Sequence, residues 1–135
     1  AWSEQNRSPL VRVPAARGDA TRIELRMPDP SCNPYLALAV MLRAGLDGLD
    51  QQIDPGPPVN KNIYKMSHRE RRHLRIDDLP ANLSEALDEF EKDDRGREAL
   101  GEHIFEQGAD LKREEWADYI RHVSPWEMER YLGVY

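Results

Sequence analysis

The chain has 135 residues, a single domain's worth or part of one. Nineteen Lys and Arg against 25 Asp and Glu leave a net charge of −6, which argues against a nonspecific nucleic-acid or anionic-membrane binder, because such proteins need clustered positive charge. A hydrophobic share of 39% supplies a core and argues against wholesale disorder, and the lone cysteine, Cys32, excludes an intramolecular disulfide framework and a Cys-rich zinc site.

One thiol fits a reducing, cytoplasmic compartment. The longest nearly apolar run, residues 34–42, is about half of what a membrane span needs. The start, Ala1-Trp2-Ser3-Glu4-Gln5-Asn6-Arg7, has neither an initiator Met nor the basic, apolar and small-residue succession of a signal peptide. It reads as though cut from a longer chain.

Residues 8–14 and 21–28 are rich in β-branched residues, alternate in polarity and are bounded by prolines, which predicts two strands. Between them, residues 15–20 hold the turn formers Gly18 and Asp19, so a hairpin or two neighbouring strands follow. Two strands alone make a marginal sheet and need partners.

Asn33-Pro34 is a helix start: Asn33 can accept from the first turn, and at Pro34 the missing N–H costs nothing. From Tyr35 to Met41 every side chain is apolar, which predicts a helix over 33–50 buried on most of its surface. Asp54-Pro55-Gly56-Pro57-Pro58 enforces an extended segment, and the polar stretch 60–80, crowded with Arg69, Arg71, Arg72 and Arg75, predicts a solvated loop.

Asn82 and Glu85 form a capping-box pattern ahead of Leu83, Leu87 and Phe90 at helical spacing, and residues 93–97 break that helix. A longer helix is predicted from about Asp110 to Val123, and Ser124-Pro125-Trp126-Glu127 restarts the pattern with a second capping box. The predicted fold class is α+β: two strands of a larger curved sheet (1–30), a buried helix (33–50), a loop (51–80) and a mostly helical C-terminal layer (81–135).

The chemistry concentrates at the start. Strand alternation sets Arg22, Glu24 and Arg26 on one face and Ile23 and Leu25 on the other. Read alone, that face is a solvated charge ladder. Its functional counterpart is a polar cavity in which Glu24 ligates a hard cation such as Mg²⁺ and the guanidiniums hold carboxylate or phosphate. Arg7, Arg12 and Arg17 precede it, so the first 26 residues carry five arginines against Glu4, Asp19 and Glu24. This surplus suits an anionic ligand.

His68, His73, His103 and His122 lack metal-ligand spacing and suit surface or capping roles. Cys32 reads as a small packed residue. The aromatic set Trp116, Tyr119, Trp126, Tyr131 and Tyr135 suits either packing within the chain or contact between subunits.

Five blocks together carry a resemblance: Asn6-Arg7-Ser8, Val11-Arg12-Val13-Pro14, Arg22-Ile23-Glu24-Leu25-Arg26-Met27-Pro28-Asp29, Asn33-Pro34-Tyr35-Leu36-Ala37 and Ala44-Gly45-Leu46-Asp47-Gly48. In order, spacing and chemistry they resemble the C-terminal part of the catalytic domain of type I glutamine synthetase, with weaker similarity continuing to the C-terminus. In that family ATP phosphorylates glutamate to γ-glutamyl phosphate and ammonia displaces the phosphate. The resemblance implies that Glu24 ligates Mg²⁺ or Mn²⁺ and that Arg26 holds the glutamate carboxylate. Arg7 would stabilise the phosphoryl group in flight, as the catalytic arginine, while Arg12 binds the ATP phosphates and Arg22 assists on the nucleotide side.

The resemblance also implies a homo-oligomer, a dodecamer of two hexameric rings. No nucleic-acid or membrane partner is implied. The turn before the second strand is one residue shorter than the family's. Residues 1–135 alone hold one of the family's metal-ligating carboxylates, so the isolated chain is expected to be inactive. Tyr64, in Asn62-Ile63-Tyr64, matches the tyrosine that receives AMP in some relatives, but Lys65-Met66-Ser67-His68 departs from their sequence, and a tyrosine anchoring the loop against the protein is the simpler expectation. The alternatives kept open are a γ-glutamyl-amine ligase acting on a polyamine and a noncatalytic structural or regulatory relative.

Overall fold

The computed structural model describes residues 1–134, so Tyr135 lies outside the described residues. The chain divides into two units, residues 1–78 and Leu79 onward.

The first unit is built on a three-stranded sheet in the order β1 (Trp2–Ser3), β2 (Val11–Arg12) and β3 (Glu24–Leu25). β2 and β3 pair antiparallel with Val11 opposite Leu25 and Arg12 opposite Glu24, which is the expected hairpin in shorter strands. β1 is the partner the sequence did not reveal; it runs parallel to β2, with Trp2 beside Val11 and Ser3 beside Arg12. On its other side Val59 N–H donates to the Trp2 carbonyl (2.8 Å) and the Trp2 indole Nε1 donates to the Gly56 carbonyl (2.9 Å). Between β2 and β3 the chain turns through a short 3₁₀ segment, Gly18–Ala20, entered at Gly18 with φ +69°, a left-handed conformation that glycine adopts freely.

Helix α1 (Pro34–Asp50) starts as predicted, with the Asn33 side chain accepting from the N–H groups of Tyr35 and Leu36. The expected burial is not found: no residue of α1 is buried, and Tyr35, Leu38, Leu42 and Leu49 are largely exposed. An apolar helix surface is hidden only where another element covers it, and among the described elements none packs extensively on α1. Cys32 is likewise exposed, in the turn that Asp29 and Ser31 make ahead of the helix. Ile23 is also exposed, so the face of β3 opposite Glu24 is uncovered there.

The stretch 60–80 is not all loop. Ile63–Lys65 forms a 3₁₀ turn capped by Asn62, and α2 (His68–His73) is a six-residue helix with a reciprocal capping box between Ser67 and Glu70. The box supplies partners for first-turn N–H groups that an all-polar helix face could not otherwise stabilise.

The second unit holds α3 (Leu83–Phe90), α4 (Asp94–Leu100), α5 (Glu102–Arg121) and α6 (Pro125–Tyr131). Asn82 accepts from Glu85 N–H (3.0 Å) and its Nδ2 donates to Glu85 Oε1 (2.8 Å), but the backbone N–H that donates to Glu85 is that of Ala81 rather than Asn82, so the predicted box closes one residue early. The helix does end ahead of residues 93–97, at Phe90, but those residues start a new helix: Asp93 caps α4 by accepting from Arg95 N–H (3.1 Å), and Gly96 lies inside it. A Cβ on Gly96 would sit 3.1 Å from Asp93 Oδ2 and 3.5 Å from Phe90, so the glycine is there for close packing.

α5 begins eight residues before its predicted start, after Gly101 turns the chain at φ +75°. It packs against α3 and α4. Phe105, 1% exposed, stacks on Phe90 at 4.3 Å, lies under the Arg97 guanidinium and joins buried Leu87 and Ala109 in the core. Arg113 locks α5 to α3 by donating to Asp88 (2.6 Å) and to both oxygens of Glu91. α6 has the predicted Ser124–Glu127 box with Pro125 in its first turn. Of the aromatic set, Trp116 and Tyr119 pair at 5.6 Å and Trp126 and Tyr131 edge-to-face at 5.9 Å; Tyr119, Trp126 and Tyr131 remain at least half exposed. Among the described residues no helix is long and apolar enough to cross a membrane.

Candidate functional site

The antiparallel register of β2 and β3 sets Arg12 directly opposite Glu24, and the two-residue period of the strand returns Arg22 to the same face. Arg12 Nη1 donates to Glu24 Oε2 at 2.8 Å. Arg22 reaches the other oxygen with a fork, Nε and Nη2 both donating to Oε1 at 3.1 and 2.8 Å. Arg22 Nη1 also donates to the Ala20 carbonyl, which ties its guanidinium back to the 3₁₀ turn.

Glu24 is therefore clamped between two cations. The hydrogen bond from Arg12 acts most strongly and, with the bond from Arg22 and the charge of both, holds the carboxyl below the ordinary carboxylate range against the opposing pull of desolvation. The side chain stays 29% exposed, so a ligand can reach it.

A carboxylate offers about four lone-pair positions, and the three donors leave one on Oε2. A hard cation can take it. Arg12 Nε–H is buried without an acceptor among the described residues, so it is closed to a ligand, while the guanidinium as a whole keeps 19% of its side chain exposed. One free carboxylate position between two guanidiniums fits a divalent cation bound together with an anionic group. Glu24 alone cannot hold such an ion, and the described residues contain no group of three His, Cys, Asp or Glu side chains that could.

Arg7 and Arg26 are not drawn into this cluster. Arg26 is fixed through its backbone, whose N–H donates to the Leu10 carbonyl at 3.0 Å and extends the β2–β3 ladder, while its side chain is exposed. Arg7 is exposed on the segment between β1 and β2. Arg17 folds onto its own loop, Nη1 donating to the Pro14 and Ala16 carbonyls. Tyr64 stands out from the 3₁₀ turn at 82% exposure, so it does not anchor the loop; Ile63 beside it is 7% exposed and does. That turn is tied to the Arg7 segment, because Ile63 N–H donates to Ser8 Oγ at 3.0 Å.

Two residues in the Asn6-Arg7-Ser8 block carry contacts that the sequence reading gave no role. Asn6 Nδ2 donates to the carbonyls of Val59 (3.1 Å) and Lys61 (3.0 Å), and its Oδ1 accepts from Ser8 N–H (3.0 Å) and Ser8 Oγ (2.8 Å). An Asn two residues before a Ser is the local signal for such an Asx turn; the long-range half of the network leaves no trace in sequence.

The family model of the glutamine synthetase catalytic domain matches residues 1–131. The chain is 55% identical over 135 residues to the glutamine synthetase of Thermus thermophilus and 54% identical over 134 residues to that of Methanosarcina mazei, covering 100% and 99% of itself and 30% of each relative. It thus spans about 30% of the length of these curated relatives. A solved structure described as "Apo GmaS without ligand" matches with a TM-score of 0.74 and 40% identity over 94% of this chain and 28% of that one.

Proposed function

Because the chain belongs to the family of the glutamine synthetase catalytic domain, we propose that it works as the C-terminal part of that domain in an ATP-dependent glutamate–ammonia ligase. The observation that carries this reading is the Arg12–Glu24–Arg22 clamp, with its open carboxylate position.

Phosphoryl transfer is catalysed mainly by positioning and by neutralising charge on the transferred group. Glu24 would serve as one ligand of Mg²⁺ or Mn²⁺, which when bound supplies positive charge to the ATP phosphates; its remaining ligands would come from the rest of the protein. Arg12, held in place by Glu24, would offer the exposed part of its guanidinium to a phosphate oxygen. Arg22 fixes the carboxylate from the opposite side and keeps it ionised. Arg26, with its side chain free at the sheet edge, suits bidentate capture of the substrate glutamate's carboxylate, for which a planar fork is better than an ammonium. Arg7, equally free, is assigned to the phosphoryl group as it passes from ATP to the γ-carboxylate oxygen. Ammonia then attacks the γ-carbonyl, the C–O bond to phosphate breaks, and glutamine and phosphate leave.

With one metal-ligating carboxylate, and no group of three His, Cys, Asp or Glu side chains among the described residues that could hold a metal ion, residues 1–135 by themselves are expected to be inactive. The whole protein is read as a cytoplasmic homo-oligomer of two stacked hexameric rings, to which the exposed Tyr119, Trp126 and Tyr131 are suited as contacts. Exposure of Tyr64 makes it reachable for AMP transfer.

The test is ATP-dependent phosphate release by the full-length protein with glutamate plus ammonium, compared with glutamate plus a polyamine. Release with ammonium supports the proposal. Release only with the amine moves the activity to γ-glutamyl-amine ligation, and no release with either refutes it.

A further inference from the structure

Arg7 has an assigned task in the proposed reaction, yet its side chain makes no hydrogen bond or ion pair among the described residues. Its position must come from the backbone on either side. Both neighbours are held: Asn6 spends its full amide capacity, two donors on the Val59 and Lys61 carbonyls and two acceptor positions on Ser8, while Ser8 Oγ also accepts from Ile63 N–H. The bracing continues upstream, where Ser3, fully buried, donates its hydroxyl to the Asn6 carbonyl at 2.7 Å. Glu4 N–H donates to Asn60 Oδ1 at 3.0 Å, and Asn60 Nδ2 returns a bond to Glu4 Oε2. Residues 2–8 are thereby pinned between β2 and the segment 56–63, and buried Ile63 anchors that segment.

From this network we propose that Asn6, with Ser8, is a positioning residue for Arg7, holding its Cα against the 56–63 segment so that the guanidinium meets the transferred phosphoryl group without reorganisation. The inference rests on the assignment of Arg7 given above. Four well-made bonds on one amide flanking an otherwise unrestrained arginine suit orientation more than bulk stability, because a misplacement of about 1 Å at a reacting centre can cost roughly a hundredfold in rate.

In the full-length protein, Asn6→Asp keeps the acceptor for Ser8 and loses both donors to Val59 and Lys61. Ser8→Ala removes the acceptor for Ile63 N–H, and Ser8→Thr restores a hydroxyl. The expected result is a fall in kcat of roughly ten- to a hundredfold for Asn6→Asp and Ser8→Ala, with KM for ATP and glutamate changed by less than about threefold and the oligomer intact. Ser8→Thr should recover most of the loss. Asn6→Asp should cost nothing further in an Arg7→Ala background, since the two act as one unit.

Additive losses, or Asn6→Asp and Ser8→Ala proteins that keep wild-type kcat while Arg7→Ala loses it, overturn the inference alone. A wild-type protein that releases no phosphate, or an Arg7→Ala protein with normal kcat, refutes the underlying assignment and the inference with it.

Discussion

Replacing Glu24 with glutamine perturbs the centre of the cluster while preserving its shape. The carboxylate accepts three hydrogen bonds, one from Arg12 and two from the Arg22 fork. A glutamine amide has one carbonyl oxygen and one NH₂, so only one guanidinium can keep its partner. The fork delivers both its bonds to a single oxygen and favours the carbonyl, which turns the NH₂ toward Arg12. Arg12 would then lose its only side-chain hydrogen bond among the described residues, beside an Nε–H that is already unpaired there. Loss of the negative charge also removes the ligand assigned to the metal. The expected outcome in the full-length protein is a kcat lower by roughly 10²–10³ and a rise of about tenfold or more in the Mg²⁺ concentration for half-activation. The fold should survive, because Glu24 lies outside the buried core. Phosphate release measured against Mg²⁺ concentration, with sedimentation as the control for assembly, is the assay. Wild-type kcat with unchanged metal dependence would refute the assignment.

Three further outcomes are expected. Arg26→Lys should raise the glutamate KM roughly tenfold or more with a smaller change in kcat, since an ammonium cannot make the bidentate contact; substrate titration of initial rates checks this, and an unchanged KM contradicts it. Phe105→Ala removes the ring between Phe90 and the Arg97 guanidinium and should destabilise the second unit by about 3–5 kcal/mol, read as a lower urea midpoint for loss of helicity. The Glu127 carboxyl is held below its ordinary value first by Ser124 N–H and then by the Ser124 hydroxyl. Its folded pKa is therefore below its unfolded one, so its contribution is complete above the unfolded value of 4.5 and is lost as pH falls through the folded pKa. Hydrogen-exchange protection in α6 should fall on acidification through that window, and Glu127→Gln should remove the dependence.

Features of the fold with local chemical signatures were legible in the sequence. Asn33-Pro34 and Ser124-Pro125 each combine a side-chain acceptor with a residue that needs no N–H, and both start helices where they stand. The shared face of Arg22 and Glu24 was implicit in alternation, whereas the register that sets Arg12 opposite Glu24 was not. What escaped depends on distant chain. β1 is two residues long and is a strand only because β2 and residue 59 lie beside it. Gly96 reads as a breaker, since nothing local tells that Phe90 and Asp93 pack against it. The first two turns of α5 lack a side-chain cap, and Gly101 gives a turn signal rather than a start. The apolar run of α1 announces burial but not the identity of the cover, and the described elements leave it exposed. Arg12, Glu24 and Arg22 stood out in the sequence as candidate residues, whereas their joining in one clamp, the unpaired Arg12 Nε–H and the Asn6 network exist only in three dimensions.

An acyl phosphate is captured by hydroxylamine, which attacks the same carbonyl that ammonia would. Incubating the full-length protein with ATP, Mg²⁺, glutamate and hydroxylamine should yield γ-glutamyl hydroxamate with stoichiometric phosphate, and the Glu24→Gln protein should yield little of either. A folded wild-type protein that forms no hydroxamate, or a Glu24→Gln protein that forms it at the wild-type rate, would contradict the assignment of this chain to phosphoryl transfer.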